Sequence, residues 1–148
     1  MQQPLSALLV EDEAILAMHL EECLIESGYD VVGIATTSEE AMQLARALKP
    51  DLAFLDIHLA DGPTGVEVAR TIAQDCGALV IFMTANEKLI PEDYAGAAGV
   101  IAKPYSQFGV VSALRFIEGC MSKKAAPGKP PPNFVVSPRY REAWGVAH

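Results

Sequence analysis

The chain has 148 residues, of which 51% are hydrophobic, and this composition excludes a chain that is disordered throughout. A length of this order favours one domain with its own core. The net charge is −8, but residues 1–121 carry 18 acidic and 6 basic side chains, whereas residues 122–148 carry 5 basic and 1 acidic. The acidic body argues against nucleic acid as a partner of the main domain.

The sequence indicates neither secretion nor membrane insertion. No apolar run approaches the ~20 residues that a membrane-spanning helix needs, and the N-terminus has no basic region or cleavage-like site of a signal peptide. Cys23, Cys76 and Cys120 are odd in number and widely spaced, so we expect reduced core thiols rather than disulfides or a metal site. We therefore expect a cytoplasmic protein without a membrane partner.

Short apolar runs alternate with helical patterns through the first 121 residues. Thr37 and Glu40 fit a capping box, and Ser106 is a candidate N-cap. Apolar strands that alternate with helices predict an α/β fold, a doubly wound five-stranded parallel sheet covered on both faces. The predicted strands are 5–10, 31–36, 52–56, 79–84 and 99–103, and the predicted helices are about 13–27, 37–49, 65–75 and 106–121.

One helix of this alternation is interrupted. Between Thr84 and Gly99 a fourth helix is expected, but Pro91 and Gly96 break the pattern and little apolar periodicity remains. We expect a weak or short fourth helix.

The composition changes after the 1–121 domain, where a Pro/Lys-rich C-terminal tail spans residues 122–148. Residues 123–132 are typical of a linker that is extended where prolines are consecutive. The apolar residues Phe134–Val136, Tyr140 and Trp144 that follow are too few for a second core. Two alternatives stay open, a tail that docks on the domain or a partner and a tail that is disordered.

Polar side chains stand at the ends of the apolar runs, where the carboxyl ends of parallel strands form sites. They are Glu11, Asp12, Asp56, Thr84 and Lys103. Carboxylates held close together repel unless a cation or proton intervenes, and oxygen ligands suit Mg²⁺. Asp12 and Asp56 are the candidate ligands, with Glu11 acting through water.

The same residues fit phosphoryl transfer. Asp56 can attack phosphorus to form an aspartyl phosphate. Mg²⁺, the Lys103 ammonium and the Thr84 hydroxyl can each take one phosphoryl oxygen, and backbone N–H groups after Asp56 and at Ala85 can complete the cradle.

The motifs that carry these residues resemble those of a known family. Over residues 5–121 the chain resembles the flavodoxin-like receiver domains of bacterial two-component response regulators. The matching segments are Leu9-Val10-Glu11-Asp12-Glu13, Phe54-Leu55-Asp56, Met83-Thr84-Ala85 and Lys103-Pro104-Tyr105. The loop 59–65 resembles that of receivers in alphaproteobacterial general-stress pathways.

The resemblance implies a phosphoacceptor role for Asp56, with a histidine kinase or a phosphotransfer protein as the donor. It also implies that Thr84 and Lys103 contact the phosphoryl group and that the Lys103–Pro104 bond is cis. The Mg²⁺ site that it implies consists of Glu11, Asp12, Asp56 and the backbone carbonyl of His58.

Two departures from the family pattern concern how a signal leaves the domain. Typical receivers carry an aromatic residue three positions before the lysine, and here that residue is Val100. The usual proline four residues after the phosphoacceptor is replaced by Ala60. We therefore expect phosphorylation to order the segment 85–98 instead of reorienting an aromatic ring.

The first helix carries two apolar stripes, and one stripe is enough to face the sheet. Leu16, Leu20, Cys23 and Leu24 form one stripe, and Ile15, Met18 and Ile25 form the other. The second stripe either docks the helical face of a kinase or phosphotransfer protein, or it extends the core contact.

Together these features predict a single-domain response regulator without an output domain. It would act as a phosphorylation-dependent interaction module for a downstream protein or as a phosphate sink in a phosphorelay, with chemistry directed at itself and not as an enzyme. One alternative is a Mg²⁺-dependent phosphohydrolase, which needs an acid two residues after its nucleophile, where this chain has His58. The other is a scaffold receiver that is never phosphorylated.

Overall fold

The computed structural model describes residues 4–146, in which strands and helices alternate. The strands are β1 Ser6–Val10, β2 Asp30–Ala35, β3 Leu52–Leu55, β4 Leu79–Thr84, β5 Gly99–Ala102 and β6 Phe134–Val136. The helices are α1 Ala14–Glu26, α2 Ser38–Leu48, α3 Gly65–Thr71, α4 Gln107–Lys123 and α5 Pro138–Trp144. A π-helical turn, Ile72–Cys76, extends α3. Among the described residues, no helix is long and apolar enough to cross a bilayer.

The six strands form one sheet in the order β2-β1-β3-β4-β5-β6. The first five strands are parallel, and β6 pairs antiparallel with β5 at the edge. The predicted α/β class is thereby confirmed, but the predicted count of five strands is one short. The sixth strand comes from the C-terminal tail, whose three-residue apolar run is too short to stand out as a strand by its pattern.

Alternate residues of each central strand face opposite sides of the sheet and feed two separate cores. The side chains of β3 show this: Leu52 and Phe54 pack with α1, α4 and α5, whereas Ala53 and Leu55 pack with α2 and α3. Both faces of the sheet are therefore covered, which explains why its strands are apolar throughout.

Side-chain caps begin α2 and α4 as predicted. The Thr37 hydroxyl accepts a hydrogen bond from the Glu40 N–H at 3.2 Å, and Glu40 Oε1 accepts one from the Thr36 N–H at 2.9 Å. The Ser106 hydroxyl accepts from the Gly109 N–H at 3.0 Å. These bonds satisfy N–H groups that the helices leave without partners.

The interrupted fourth helix is replaced by two 3₁₀ turns, Glu87–Leu89 and Tyr94–Gly96, and the predicted short element is confirmed. Tyr94 and Ala95 have positive φ angles of 55° and 51°, a conformation that disfavours each residue by about 1–2 kcal/mol. Asp93 holds this turn, since its Oδ1 accepts from the Ala95 N–H at 3.0 Å and its Oδ2 pairs with Arg70 at 2.7 Å. Whether phosphorylation orders the segment 85–98 further stays a prediction.

Of the two alternatives for the tail, docked or disordered, the structure shows residues 134–146 docked on the domain. Phe134, Val136 and Trp144 are buried in the core that α1 and α4 form. The Ser137 hydroxyl caps α5 through the Tyr140 N–H, and the Trp144 carbonyl accepts from the Ala126 N–H at 2.8 Å. The domain boundary at residue 121 stays a prediction.

Two glycines make room for the tail. A Cβ atom on Gly99 would lie 2.4 Å from the Val135 carbonyl oxygen and 2.7 Å from the Phe134 ring. A Cβ atom on Gly109, inside α4, would lie 2.9 Å from the Asn133 amide nitrogen. Glycine within strands and helices is intrinsically unfavourable. At these two positions glycine is required because a larger side chain would collide with the tail.

The docked tail predicts unequal effects for two neighbouring residues of β6. Phe134→Ala should lower the free energy of unfolding by about 3 kcal/mol, because it removes a buried ring and leaves a cavity. Val135→Ala is the matched control, because Val135 is 36% exposed, and should change stability by less than about 0.5 kcal/mol. Urea denaturation measures both, and equal effects would contradict the docked arrangement.

Candidate functional site

The site lies at the carboxyl end of the sheet, between the neighbouring strands β1 and β3. The connections from β1 and β3 leave toward opposite faces, and this switch point is where open α/β sheets form their sites. Backbone hydrogen bonds fix the strand ends: the Glu11 N–H donates to Ala35, the Asp56 N–H to Val10 and the Lys103 N–H to Thr84, at 2.9, 3.0 and 3.0 Å. The predicted residues are thus held at one edge.

The Lys103 ammonium joins the two carboxylates that follow β1 and β3. It donates to Glu11 Oε1 and, at 2.9 Å, to Asp56 Oδ2. These three side chains are 7–12% exposed, so water screens their charges much less than at the surface. The cation therefore balances charges that would otherwise repel each other.

For Glu11 and for Lys103, burial and the ion pair shift the pKa in opposite directions. Burial raises the pKa of the Glu11 carboxyl by disfavouring its charged form, an effect that the hydrogen bond from Lys103 opposes. Burial acts to lower the pKa of Lys103, but the hydrogen bonds to Glu11 and Asp56 outweigh it, and that pKa is raised.

Three carboxylates offer a set of oxygen ligands. Glu11, Asp12 and Asp56 each provide an oxygen within 4.8 Å of the others. Glu11 Oε2 is buried and has no hydrogen-bond partner among the described residues, and a buried carboxylate oxygen of this kind calls for a donor or a cation. The donor set fits a hard divalent cation such as Mg²⁺. The His58 side chain is exposed, and its backbone carbonyl as a ligand stays a prediction.

Asp56 and Thr84 each accept a hydrogen bond from a backbone N–H group. Asp56 Oδ1 accepts from the Ile57 N–H at 2.7 Å. Thr84, which is buried, accepts from the Asn86 N–H at 3.0 Å through its hydroxyl oxygen, so the hydroxyl proton is still available to an incoming oxygen. That the N–H groups after Asp56 and at Ala85 bind a phosphoryl group stays a prediction.

Gly65 is a site residue that the sequence reasoning missed. Its N–H donates to the Ile57 carbonyl at 2.8 Å, and a Cβ on it would lie 2.1 Å from the Asp56 carbonyl oxygen. The loop before it is fixed by Asp61, whose carboxylate accepts from the Ser38 and Thr64 hydroxyls. The sequence feature that could have identified Gly65 is its position, directly after the Gly-Pro-Thr turn and at the start of a predicted helix.

The surroundings of Lys103 agree with one implication of the resemblance and keep one departure from it. The Lys103–Pro104 bond is cis, as the resemblance implies. Val100, at the position of the usual aromatic residue, is buried in the α2–α3 core and has no ring to reorient. Tyr105 stacks on His19 of α1 with ring centroids 6.1 Å apart. Burial raises the pKa of Tyr105 to about 12, so its hydroxyl stays protonated at neutral pH.

A doubly wound sheet with an acidic pocket at its switch point defines a flavodoxin-like α/β domain. The family model of the response regulator receiver domain matches residues 7–115. The chain belongs to this family, as its motifs predicted, and its setting is two-component signalling.

The curated relatives include longer regulators. The chain is 35% identical over 109 residues to the phyllosphere-induced regulator PhyR of Methylorubrum extorquens, covering 72% of this chain and 41% of PhyR. It is 35% identical over 114 residues to the transcriptional regulatory protein PdtaR of Mycobacterium tuberculosis, covering 75% of this chain and 55% of PdtaR. The chain thus spans about half the length of these relatives.

A solved structure supports the same assignment. The receiver domain of the PhyR response regulator of Erythrobacter litoralis superposes with a TM-score of 0.68 at 31% identity, covering 75% of this chain and 87% of that chain.

The bridging lysine predicts a pH-dependent loss of stability. Lys103→Met should lower the free energy of unfolding at pH 7.5 by about 3 kcal/mol, because it leaves two buried carboxylates without their cation. Protonation of Glu11 relieves that repulsion, and burial raises the pKa of this carboxyl, so the loss should be smaller at pH 5 than at pH 7.5. Urea denaturation at both pH values is the measurement. Lys88→Met, at an exposed lysine, is the control, and a loss of the same size at both pH values would refute this electrostatic role.

Proposed function

We propose that the chain is a response regulator receiver of the cytoplasm that accepts a phosphoryl group on Asp56. One observation carries the proposal: the Lys103 ammonium bridges Asp56 and Glu11, and the second oxygen of Glu11 is buried without a partner. A purely structural ion pair would satisfy both carboxylate oxygens. This arrangement instead leaves acceptors for a cation beside a carboxylate that can act as a nucleophile.

Transfer exchanges one bond to phosphorus for another. A carboxylate oxygen of Asp56 forms an O–P bond while the P–N bond of a phosphohistidine donor breaks, and its electron pair remains on the imidazole nitrogen. Mg²⁺, held by Glu11, Asp12 and Asp56, would neutralise charge on the phosphoryl oxygens when bound. No other catalytic group is required, since such transfers depend on positioning and electrostatics.

Lys103 and Thr84 would then bind the transferred group. The ammonium exchanges Asp56 Oδ2 for a phosphoryl oxygen, because formation of the acyl phosphate removes the negative charge of the Asp56 carboxyl. The Thr84 hydroxyl donates to a second oxygen. The phosphorylated form therefore requires a shift of the Lys103 side chain.

The exposed stripe of α1 suits the phosphoryl donor. Leu20, Cys23 and Leu24 are buried, whereas Ile15 and Met18 are 81% and 60% exposed. The exposed pair lies near the start of α1, which follows the acidic residues of the site. We propose that a histidine kinase or phosphotransfer protein docks there and presents its phosphohistidine to Asp56.

The two alternative functions, a phosphohydrolase and a scaffold receiver that is never phosphorylated, differ in what they predict for Asp56. A phosphohydrolase would release phosphate from a phosphomonoester over many turnovers. Such an enzyme needs an acid two residues after the nucleophile, where this chain has His58 with an exposed side chain. A scaffold receiver would not become labelled at all. The relatives are signalling regulators, which favours an interaction module or a phosphate sink in a relay over an enzyme.

Phosphorylation of Asp56 can be measured directly with acetyl phosphate and Mg²⁺. The chain should gain one phosphoryl group by intact-mass spectrometry, and Asp56→Asn should reduce labelling by at least about 100-fold, because the nucleophile is lost. Asp75→Asn removes an exposed carboxylate and should label normally. Labelling that survives Asp56→Asn would contradict the proposal, and so would labelling that chelation of Mg²⁺ leaves unchanged.

If the phosphoryl donor docks on α1, substitutions there should slow phosphotransfer from a protein donor but not from a small-molecule donor. Replacing Ile15 and Met18 together with serine should slow phosphotransfer from a phosphorylated histidine phosphotransfer protein by about tenfold or more, which corresponds to about 1.4 kcal/mol. Labelling by acetyl phosphate should be unchanged, because that donor needs no helix contact. Leu48→Ser, at an exposed residue of α2 on the other face of the sheet, is the control, and equal rates from the protein donor would refute the docking role.

A further inference from the structure

The loop 57–64, which follows the candidate nucleophile, is held by hydrogen bonds within its own backbone. The Gly65 N–H donates to the Ile57 carbonyl at 2.8 Å. Leu59 and Gly62 exchange two bonds, of 2.8 and 3.0 Å. The side chains of Ile57 and Leu59 are buried in the α2–α3 core. The path of the chain after β3 is therefore fixed from both ends of the loop.

A second set of bonds joins this loop to the turn 35–38 between β2 and α2. The Ala60 N–H donates to the Thr36 carbonyl at 2.9 Å. The Asp61 carboxylate accepts from the Ser38 N–H at 3.2 Å and from the Ser38 hydroxyl. The Asp61 side chain thus joins the loop to the first residue of α2.

The same turn also holds the chain that leaves β1. The Glu11 N–H donates to the Ala35 carbonyl at 2.9 Å, and Ala35 is the residue before Thr36. The turn is itself fixed, because the Thr36 N–H donates to Glu40 Oε1 at 2.9 Å. The two segments that carry the carboxylates of the site are therefore bonded to one common support.

The backbone carbonyl of His58 is unpaired inside this fixed loop. It has no hydrogen-bond partner among the residues that the structure describes, although its neighbours Ile57 and Leu59 are buried on either side of it. His58 follows Asp56 by two residues, which span at most about 7 Å of chain. A carbonyl held at that distance is an oxygen ligand that needs no rearrangement to serve a hard cation beside Asp56.

We propose that Asp61 is a positioning residue for phosphoryl transfer to Asp56. It holds the loop on the turn that also supports Glu11, and it thereby keeps the His58 carbonyl in place for Mg²⁺. Asp61 acts through His58 and contacts neither the cation nor the phosphoryl group. The proposal rests on the proposed function of Asp56 and deepens it.

The affinity for Mg²⁺ measures this placement without a phosphoryl donor. Asp61 is exposed, so its replacement removes no buried contact and the chain should stay folded. In calorimetric titration of the full chain with magnesium chloride, Asp61→Ala should raise the dissociation constant by about tenfold, as expected when a ligand loses the group that orients it.

Two further variants separate position from charge. Asp61→Asn removes the charge but keeps an oxygen that accepts from the Ser38 and Thr64 hydroxyls, so it should restore the Mg²⁺ affinity. Intact mass confirms that the introduced amide, which precedes Gly62, has not hydrolysed. Glu39→Ala is the matched control, because it removes an exposed carboxylate from the first turn of α2 and should leave the affinity unchanged.

Labelling by acetyl phosphate separates positioning from a structural role. Asp61→Ala should raise the Mg²⁺ concentration for half-maximal labelling by about tenfold, while the rate at saturating Mg²⁺ stays within about twofold of the unsubstituted chain, because only cation binding is lost. A partly unfolded variant would instead lose labelled protein at every Mg²⁺ concentration, and circular dichroism detects it.

Amide exchange shows whether Asp61 acts through the loop. The Ala60 N–H, which is bonded to Thr36, should exchange at least about tenfold faster in Asp61→Ala, because the loop opens more often. Ser38→Ala should also weaken Mg²⁺ binding. Combining it with Asp61→Ala should add less than about twofold, because both variants remove the same contact.

The inference and the proposed function fail separately. If Asp56 is labelled but Asp61→Ala binds Mg²⁺ as tightly as the unsubstituted chain, the positioning role is overturned and the proposed function stands. The same holds if Asp61→Asn is as weak as Asp61→Ala, or if Glu39→Ala weakens binding equally, since the effect would then be one of charge. If the unsubstituted chain is not labelled at Asp56, both are overturned.

Discussion

The Lys103 ammonium lies between two buried carboxylates that belong to different strands, and much of the domain is arranged around that contact. Two like charges about 4 Å apart repel by about 4 kcal/mol at the effective dielectric of a protein surface, so Glu11 and Asp56 need a cation between them. The cation can come from Lys103 only because β5 ends at the same edge as β1 and β3. The parallel order of the strands and the composition of the site therefore depend on each other.

The balance at this contact is also incomplete, and that incompleteness gives the site its chemistry. One ammonium serves two carboxylates, Asp12 lies beside them, and the second oxygen of Glu11 has no partner among the described residues. A metal ion and a phosphoryl group would each complete part of the hydrogen bonding and part of the charge. Under the proposed function, the folded protein exchanges this internal ion pair for a ligand when Asp56 accepts a phosphoryl group.

A second constraint is close backbone approach. Gly65 lets the start of α3 pass against the carbonyl of Asp56, and Gly99 lets β6 and the Phe134 ring lie against β5. The first contact shapes the site, and the second closes the edge of the sheet. The element that would separate β4 from β5 as a helix is reduced to two short turns, and Asp93 and Arg70 hold the second of them. The side of the domain that surrounds β5 is therefore where this chain departs most from its family's pattern.

The amino-acid sequence by itself determined the five parallel strands, most helix bounds and the capping residues, and it proposed the candidate site residues, because apolar periodicity and strand-end polar groups are local patterns. It also indicated the broken segment after Thr84 through Pro91 and Gly96. Only the tertiary structure decided that Phe134–Val136 is a sixth strand, that Lys103 bridges Glu11 and Asp56, and that Gly65 and Gly99 are needed for close contacts. These features depend on residues far apart in the chain, whose pairing no local pattern specifies. A three-residue strand in particular forms only because the edge of β5 is already there to receive it.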